Sequence, residues 1–168
     1  LDGANRGAEA LAEVNQLLEP AGHLGRRSIL LRVRAVLSYH QGDLQHAWED
    51  ASEGLAIDTA ANHDIGQGFS HQILGEIAYA EGDLPNARDH HTCALASQRA
   101  AGNLFGVFDA LTRLAKQNAA AGDLETAKSL YAPSRQGWEA IEPIAGLIEE
   151  IDGKVDARVD DFENEDDP

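Results

Sequence analysis

The chain is poor in most of the residues that carry chemistry. Its 168 residues include one cysteine and no methionine, aromatics make up 5%, and 13 Lys and Arg stand against 29 Asp and Glu. The one cysteine, Cys93, has no partner for an internal disulfide and no second thiol at metal-site spacing, which points to a reducing cytoplasm and to a small packed residue. The acidic balance, a net charge of −16, argues against direct binding of nucleic acid or anionic membranes, because phosphate contacts depend on Lys and Arg. No apolar run approaches the 18 residues that mark a membrane helix. No basic stretch followed by an apolar one marks a secretory signal. The lack of even an initiator methionine is expected of an excerpt or a processed form of a larger protein. With so few aromatics, the core has to be built from Ala, Leu and other aliphatic side chains.

What the chain does have is repetition. Gly42-Asp43-Leu44, Gly82-Asp83-Leu84 and Gly122-Asp123-Leu124 lie 40 residues apart, and a fixed period of this size is the signature of stacked helical repeats. Each glycine can take the left-handed conformation that ends a helix, and each aspartate can accept from the free N–H groups that open the next. Pro85 fits a first helical turn, where its missing N–H loses nothing. Small residues recur around each turn, at Ala35, Gly75 and Ala115 before it and at Ala47, Ala87 and Ala127 after it. Small residues at facing places let two helices approach closely.

Residues 28–140 resemble tetratricopeptide repeats. Leu74-Gly75, Ala78, Gly82-Asp83, Ala87 and Ala94-Leu95 match the pattern in the middle unit. Arg34-Ala35, Gly42-Asp43, Ala47 and Leu55 match it more thinly in the first, as do Leu114-Ala115, Gly122-Asp123, Ala127 and Tyr131 in the third. The usual period of this family is about 34. Longer units with a connecting stretch like Gln98 to Phe108 are similar to the repeat regions of bacterial signal-transduction ATPase regulators of the LuxR and AfsR types. The resemblance implies an all-α, right-handed superhelical solenoid of antiparallel helix pairs with a C-terminal capping helix.

Taken in order, residues 1–22 read as a half-repeat or N-terminal cap, with Gly3 aligned on Gly42 and a break at Pro20-Ala21-Gly22. Three helix pairs fill 28–141, with Trp48 as a packing anchor and Pro133 kinking the last helix; Trp138 and Ile141 are expected to cover the end of the stack. Ile144, Leu147, Ile148, Ile151, Val155, Val159 and Phe162 form an apolar stripe on an acidic capping helix over 143–162. Residues 163–168 read as a disordered acidic tail. From Glu139 to the end the charge is −10, leaving −6 for the rest, so the tail could fold back onto basic residues of a groove.

Seven histidines invite a metal reading, but no HExxH or His-x-x-x-His spacing is present, and adjacent His90 and His91 point about 100° apart on a helix. No P-loop, GxSxG or Rossmann fingerprint appears, and Gly66-Gln67-Gly68 lacks the third glycine. The expectation is therefore no catalytic residue, no metal and no cofactor. The informative surface is the groove lined by the first helix of each pair. Helical phase places Arg32, Val36, Tyr39, Gln72, Glu76, Tyr79, Thr112, Arg113 and Lys116 there. In peptide-clamp members of the family, Lys and Asn hold a C-terminal carboxylate; Arg32 and Arg113 resemble two of those cations, whereas the asparagine places hold Val36 and Ile73. The resemblance implies a non-enzymatic scaffold that binds a protein or peptide, and the likeness to long-period repeats implies the sensor or interaction part of a bacterial regulator in the cytoplasm. Two alternatives are a self-association module, pairing as a homodimer through an exposed end or the 144–162 helix, and an enzyme accessory domain with a small-molecule groove.

Overall fold

A computed structural model describes residues 2–19 and 23–140. The capping helix expected over 143–162, the tail 163–168, Ile141 and the Pro20-Ala21-Gly22 break lie outside the described residues, and the side chain of Trp138 does as well. The described chain is all-helical: α1 (Asp2–Leu18), α2 (Leu24–His40), α3 (Leu44–Ala60), α4 (Asp64–Glu81), α5 (Leu84–Ala100), α6 (Leu104–Ala120) and α7 (Leu124–Ala140). Each helix packs on the next in sequence, and α2, α4 and α6 lie side by side. Together they form a solenoid of tetratricopeptide-like antiparallel pairs.

The reversals recur twice as often as the Gly-Asp-Leu motif. Gly42, Gly82 and Gly122 have φ of 81°, 83° and 85°, and halfway between them Asn62 and Gly102 are also left-handed, at 51° and 67°. Every 20 residues the chain turns back on itself. At each turn the last residue of the reversal donates to a carbonyl five positions earlier, as Asp43 N does to Ser38 O at 2.9 Å and His63 N to Asp58 O at 2.8 Å. Those bonds satisfy carbonyls that the helix end leaves open. Asp43, Asp83 and Asp123 then accept from the N–H of His46, Asn86 and Thr126, and Asn103 does the same for Gly106. The 40-residue period thus consists of two half-units, each a helix of about five turns and a reversal of two or three residues. Relative to a 34-residue repeat, each helix is longer by roughly one turn.

Gly3 lies inside α1 rather than at a turn, so its alignment with Gly42 fails. In α1, Val14 and Leu18 pack on Leu31 of α2. In the middle, Ala35, Ala51 and Leu74 form a cluster against which Trp48 rests half-buried. At the far end Ala94, Leu95, Val107, Ala110, Leu111 and Leu114 pack together. Cys93 is exposed, not packed, because α5 turns Ala87, His91, Ala94, Leu95 and Gln98 inward and leaves residue 93 on the outer face.

The helical glycines have a different cause from the one their spacing implied. A Cβ at Gly75 would lie 2.5 Å from Nε2 of His91, whose residue is 1% exposed. Likewise a Cβ at Gly66 would meet the Asp58 carboxylate at 2.4 Å, and one at Gly68 or Gly106 would meet Gln98. Gly75 therefore makes room for an imidazole rather than for a neighbouring backbone. The equivalent place in the first pair shows the converse, since Ala35 there faces Ala51, the counterpart of His91.

Replacing Gly75 by Ala should lower stability by about 1–2 kcal/mol, because overpacking outweighs the gain in helix propensity. In a His91→Ala background the same substitution should stabilise by about 0.5–1 kcal/mol. Urea unfolding of the four proteins checks the change of sign.

Candidate functional site

The nine groove residues come from three parallel helices one repeat apart. Residues 32, 36 and 39 stand on α2, 72, 76 and 79 on α4, and 112, 113 and 116 on α6. The structure brings all of them to two adjoining depressions. The larger, of about 540 Å³ between α2 and α4, is lined by Arg32, Val36, Tyr39, Gln72, Glu76 and Arg113, joined by Ile29, Val33, Leu37, His40, Phe69 and Ile73. The smaller, of about 280 Å³ between α4 and α6, is lined by Glu76, Tyr79, Thr112, Arg113 and Lys116, joined by His91, Asp109 and Gln117. Glu76 and Arg113 border both.

Equivalent positions in successive pairs change chemistry along this face. Ile29, Phe69 and Asp109 follow one another at 40-residue steps, as do Val33, Ile73 and Arg113, and Val36, Glu76 and Lys116. The α2 side is apolar and partly open, with Ile29, Val33, Val36 and Phe69 exposed. The α6 side is ionic. Tyr79 is also exposed, and Tyr39 is half-buried with its ring edge-on to His40 at 5.5 Å.

Its arginines are already paired. Arg32 bonds the carboxylate of Asp58, which is 1% exposed and also accepts from Ser28 Oγ at 3.0 Å. Arg113 bridges two helices, donating to Asp109 Oδ2 at 2.8 Å and to Glu76, while Gln72 donates to the same Asp109 oxygen. These side chains order the wall of the groove, and their charge is neutralised within the chain. A carboxylate or the acidic tail would have to displace Asp58 from Arg32 and Glu76 or Asp109 from Arg113. Lys116 is exposed.

Asp58, His91, Asp109 and Gln117 contribute to this site without having been singled out by the sequence. His91 Nδ1 lies 2.7 Å from Gln117 Nε2, which makes the ring nitrogen the acceptor and puts its proton on Nε2. Nε2 is 3.5 Å from Glu76 Oε1, an electrostatic contact beyond hydrogen-bond length. The His91 imidazole first, and Arg113 after it, outweigh burial and hold the Glu76 carboxyl down at about 2. Among the described residues no group of three or more His, Cys, Asp or Glu side chains could hold a metal ion. No described helix is long and apolar enough to cross a membrane.

No family model matches the chain. The fold is similar to that of BtubC from P. vanneervenii, with a TM-score of 0.72 at 17% identity over 82% of this chain and 59% of that one. It is similar as well to the TPR domain of Arabidopsis FLU, with a TM-score of 0.65 at 17% identity over 70% of this chain and 99% of that domain. At this identity the likeness is one of fold. A stretch of 43 residues, 26% of the chain, is 63% identical to the iron uptake system component EfeO of Escherichia coli (strain K12) and of Shigella flexneri. The chain spans 12% of the length of those curated relatives.

Since the Glu76 pKa is lowered from an ordinary 4.5 to about 2, its interactions stabilise the fold fully above about pH 4.5 and lose their effect as pH falls towards 2. The difference in melting temperature between the native chain and Glu76→Gln should be constant above pH 5 and shrink between pH 4.5 and 2. Circular-dichroism melts across that range check this, and a difference that grows on acidification would contradict the assignment.

Proposed function

We propose that the chain is a protein-interaction scaffold that binds an extended peptide segment along the face of α2, α4 and α6 and performs no chemistry itself. The observation that carries this reading is the open apolar groove between α2 and α4, with Val33, Val36 and Phe69 exposed along it. Exposed apolar surface of this kind, rimmed by polar side chains, marks interaction sites. The internal neutralisation of Arg32 and Arg113 favours recognition through apolar anchors over capture of a terminal carboxylate. The segment it fits carries apolar side chains towards α2 and polar ones towards α6. The 40-residue period, similar to that of LuxR-type and AfsR-type regulators, supports a place in a cytoplasmic bacterial regulatory protein, as its sensor or interaction part.

The structure also dictates which variant can test this. Charge reversal at Arg32 would set a glutamate against the buried Asp58 and unfold the chain rather than probe the groove, since an unpaired buried carboxylate costs about 3–5 kcal/mol. Val36 is 39% exposed and tolerates a change. Peptides selected from a random library on the immobilised chain should carry spaced apolar residues. They should bind Val36→Asp at least tenfold more weakly, and bind Ala96→Asp, altered on the exposed side of α5, as well as the native chain. Undiminished binding to Val36→Asp would move recognition off this face. Failure to enrich any peptide, together with a molecular mass that rises with concentration, would favour self-association.

A further inference from the structure

His71 on α4 and His90 on α5 stand on opposite arms of the middle hairpin, 19 residues apart in sequence. Their Nδ1 atoms lie 3.0 Å from each other and their ring centroids 5.3 Å. Both side chains are half-buried, and the His90 ring meets Trp48 of α3 edge-on at 5.5 Å. Nothing in the groove uses them. Burial, with the positive charge of His90 against His71 and of His91 against His90, lowers both from the ordinary 6.5, although Asp89 raises His90 in part. At neutral pH both rings are uncharged, the form in which an imidazole nitrogen ligates a metal.

As it stands, the pair holds together by one N–H between two nitrogens, with one ring in the Nδ1–H tautomer. The same separation suits an ion. Two metal–nitrogen bonds of about 2.0–2.1 Å whose nitrogens are 3.0 Å apart enclose an angle of roughly 91–97°. That is close to the right angle of tetragonal coordination and well short of the tetrahedral angle zinc prefers. The geometry points to His71 and His90 as a bis-imidazole site for a divalent late transition metal, Cu²⁺ ahead of Ni²⁺ and Zn²⁺, that staples α4 to α5. On binding, the proton held between the two Nδ1 atoms passes through solvent to Nε2 of the ring that carried it, so both rings take the Nε2–H tautomer with no net proton released, and solvent fills the remaining positions. Search by sequence spacing misses such a site, because its ligands come from two helices of a hairpin and not from one helix face.

Trp48 supplies the readout. With Trp138→Phe, Trp48 becomes the sole tryptophan, since the chain has two. Chelator-treated protein titrated with CuCl₂ should show Trp48 emission quenched to a plateau at one equivalent, with a raised melting temperature. Affinity should fall at least tenfold in His71→Gln and in His90→Gln and stay unchanged in His46→Gln. Electron paramagnetic resonance of the Cu²⁺-loaded chain with its native histidines should show two nitrogen ligands, a result that does not depend on how the variants fold. Quenching that never saturates, equal affinity in all variants, a spectrum without two nitrogens, or tighter binding of Zn²⁺ than of Cu²⁺ would overturn the assignment.

Discussion

The space that glycine leaves empty for a buried polar side chain is the constraint on which the middle of this solenoid depends. In most helical repeats the close approach of two helices is set by small residues facing small residues. Here Gly66 faces Asp58, Gly75 faces His91, and Gly68 and Gly106 both face Gln98, each at distances that leave no room for a methyl group. Glycine costs about 1 kcal/mol in a helix interior relative to alanine. Four such residues in α4 and α6 are tolerated because the polar groups they admit tie one helix to the next. Asp58 collects Ser28, Arg32 and His63, and Gln98 accepts from Asn103 at 2.8 Å.

That exchange also links the core to the groove. Asp58 fixes Arg32 from below, and His91, with Gln117 on its other side, stands against Glu76. Glu76 in turn holds Arg113, which Asp109 holds from its own helix. The side chains that border the open face are therefore oriented by groups buried behind it. A rigid, preordered wall loses less side-chain freedom when a segment docks, which is how a shallow groove gains affinity.

Much of this was legible in the sequence. Gly42, Gly82 and Gly122 announce their turns because a left-handed residue followed by a capping aspartate is a local requirement, and local requirements leave local marks. The face carrying Arg32, Gln72 and Thr112 was legible for a similar reason, since a 40-residue step returns to the same point of each helix. The reversals at Asn62 and Gly102 were less so, because His63 and Asn103 stand where the other turns have Asp. Least legible were Asp58, His91 and Gln98. Periodicity assigns polar residues to the outside, and their burial is decided by partners such as Arg32, Glu76 and Gly106 on other helices. The exposure of Cys93 was missed from the opposite side, since its residue type favours burial and only the phase of α5 turns it outward.

The repeat explains why the face is uneven. A solenoid of identical units would present the same side chain at every step, giving a stripe of uniform chemistry. This chain keeps the frame, with Ala47, Ala87 and Ala127 buried at equivalent positions, and varies what stands on it. Ile29 and Phe69 give way to Asp109, Val33 and Ile73 to Arg113, and Val36 to Glu76 and then Lys116. Frame positions are held by packing, where a change of volume is felt at once, whereas open positions are limited only by what docks on them. Under the proposed function, a gradient from apolar to ionic over three helices would give a docked segment one direction in which to lie, because reversing it would set apolar side chains against Arg113 and Asp109 and polar ones against Val33 and Phe69. Polarity of such docking would then follow from the order of the repeats, with no contact to either end of the segment.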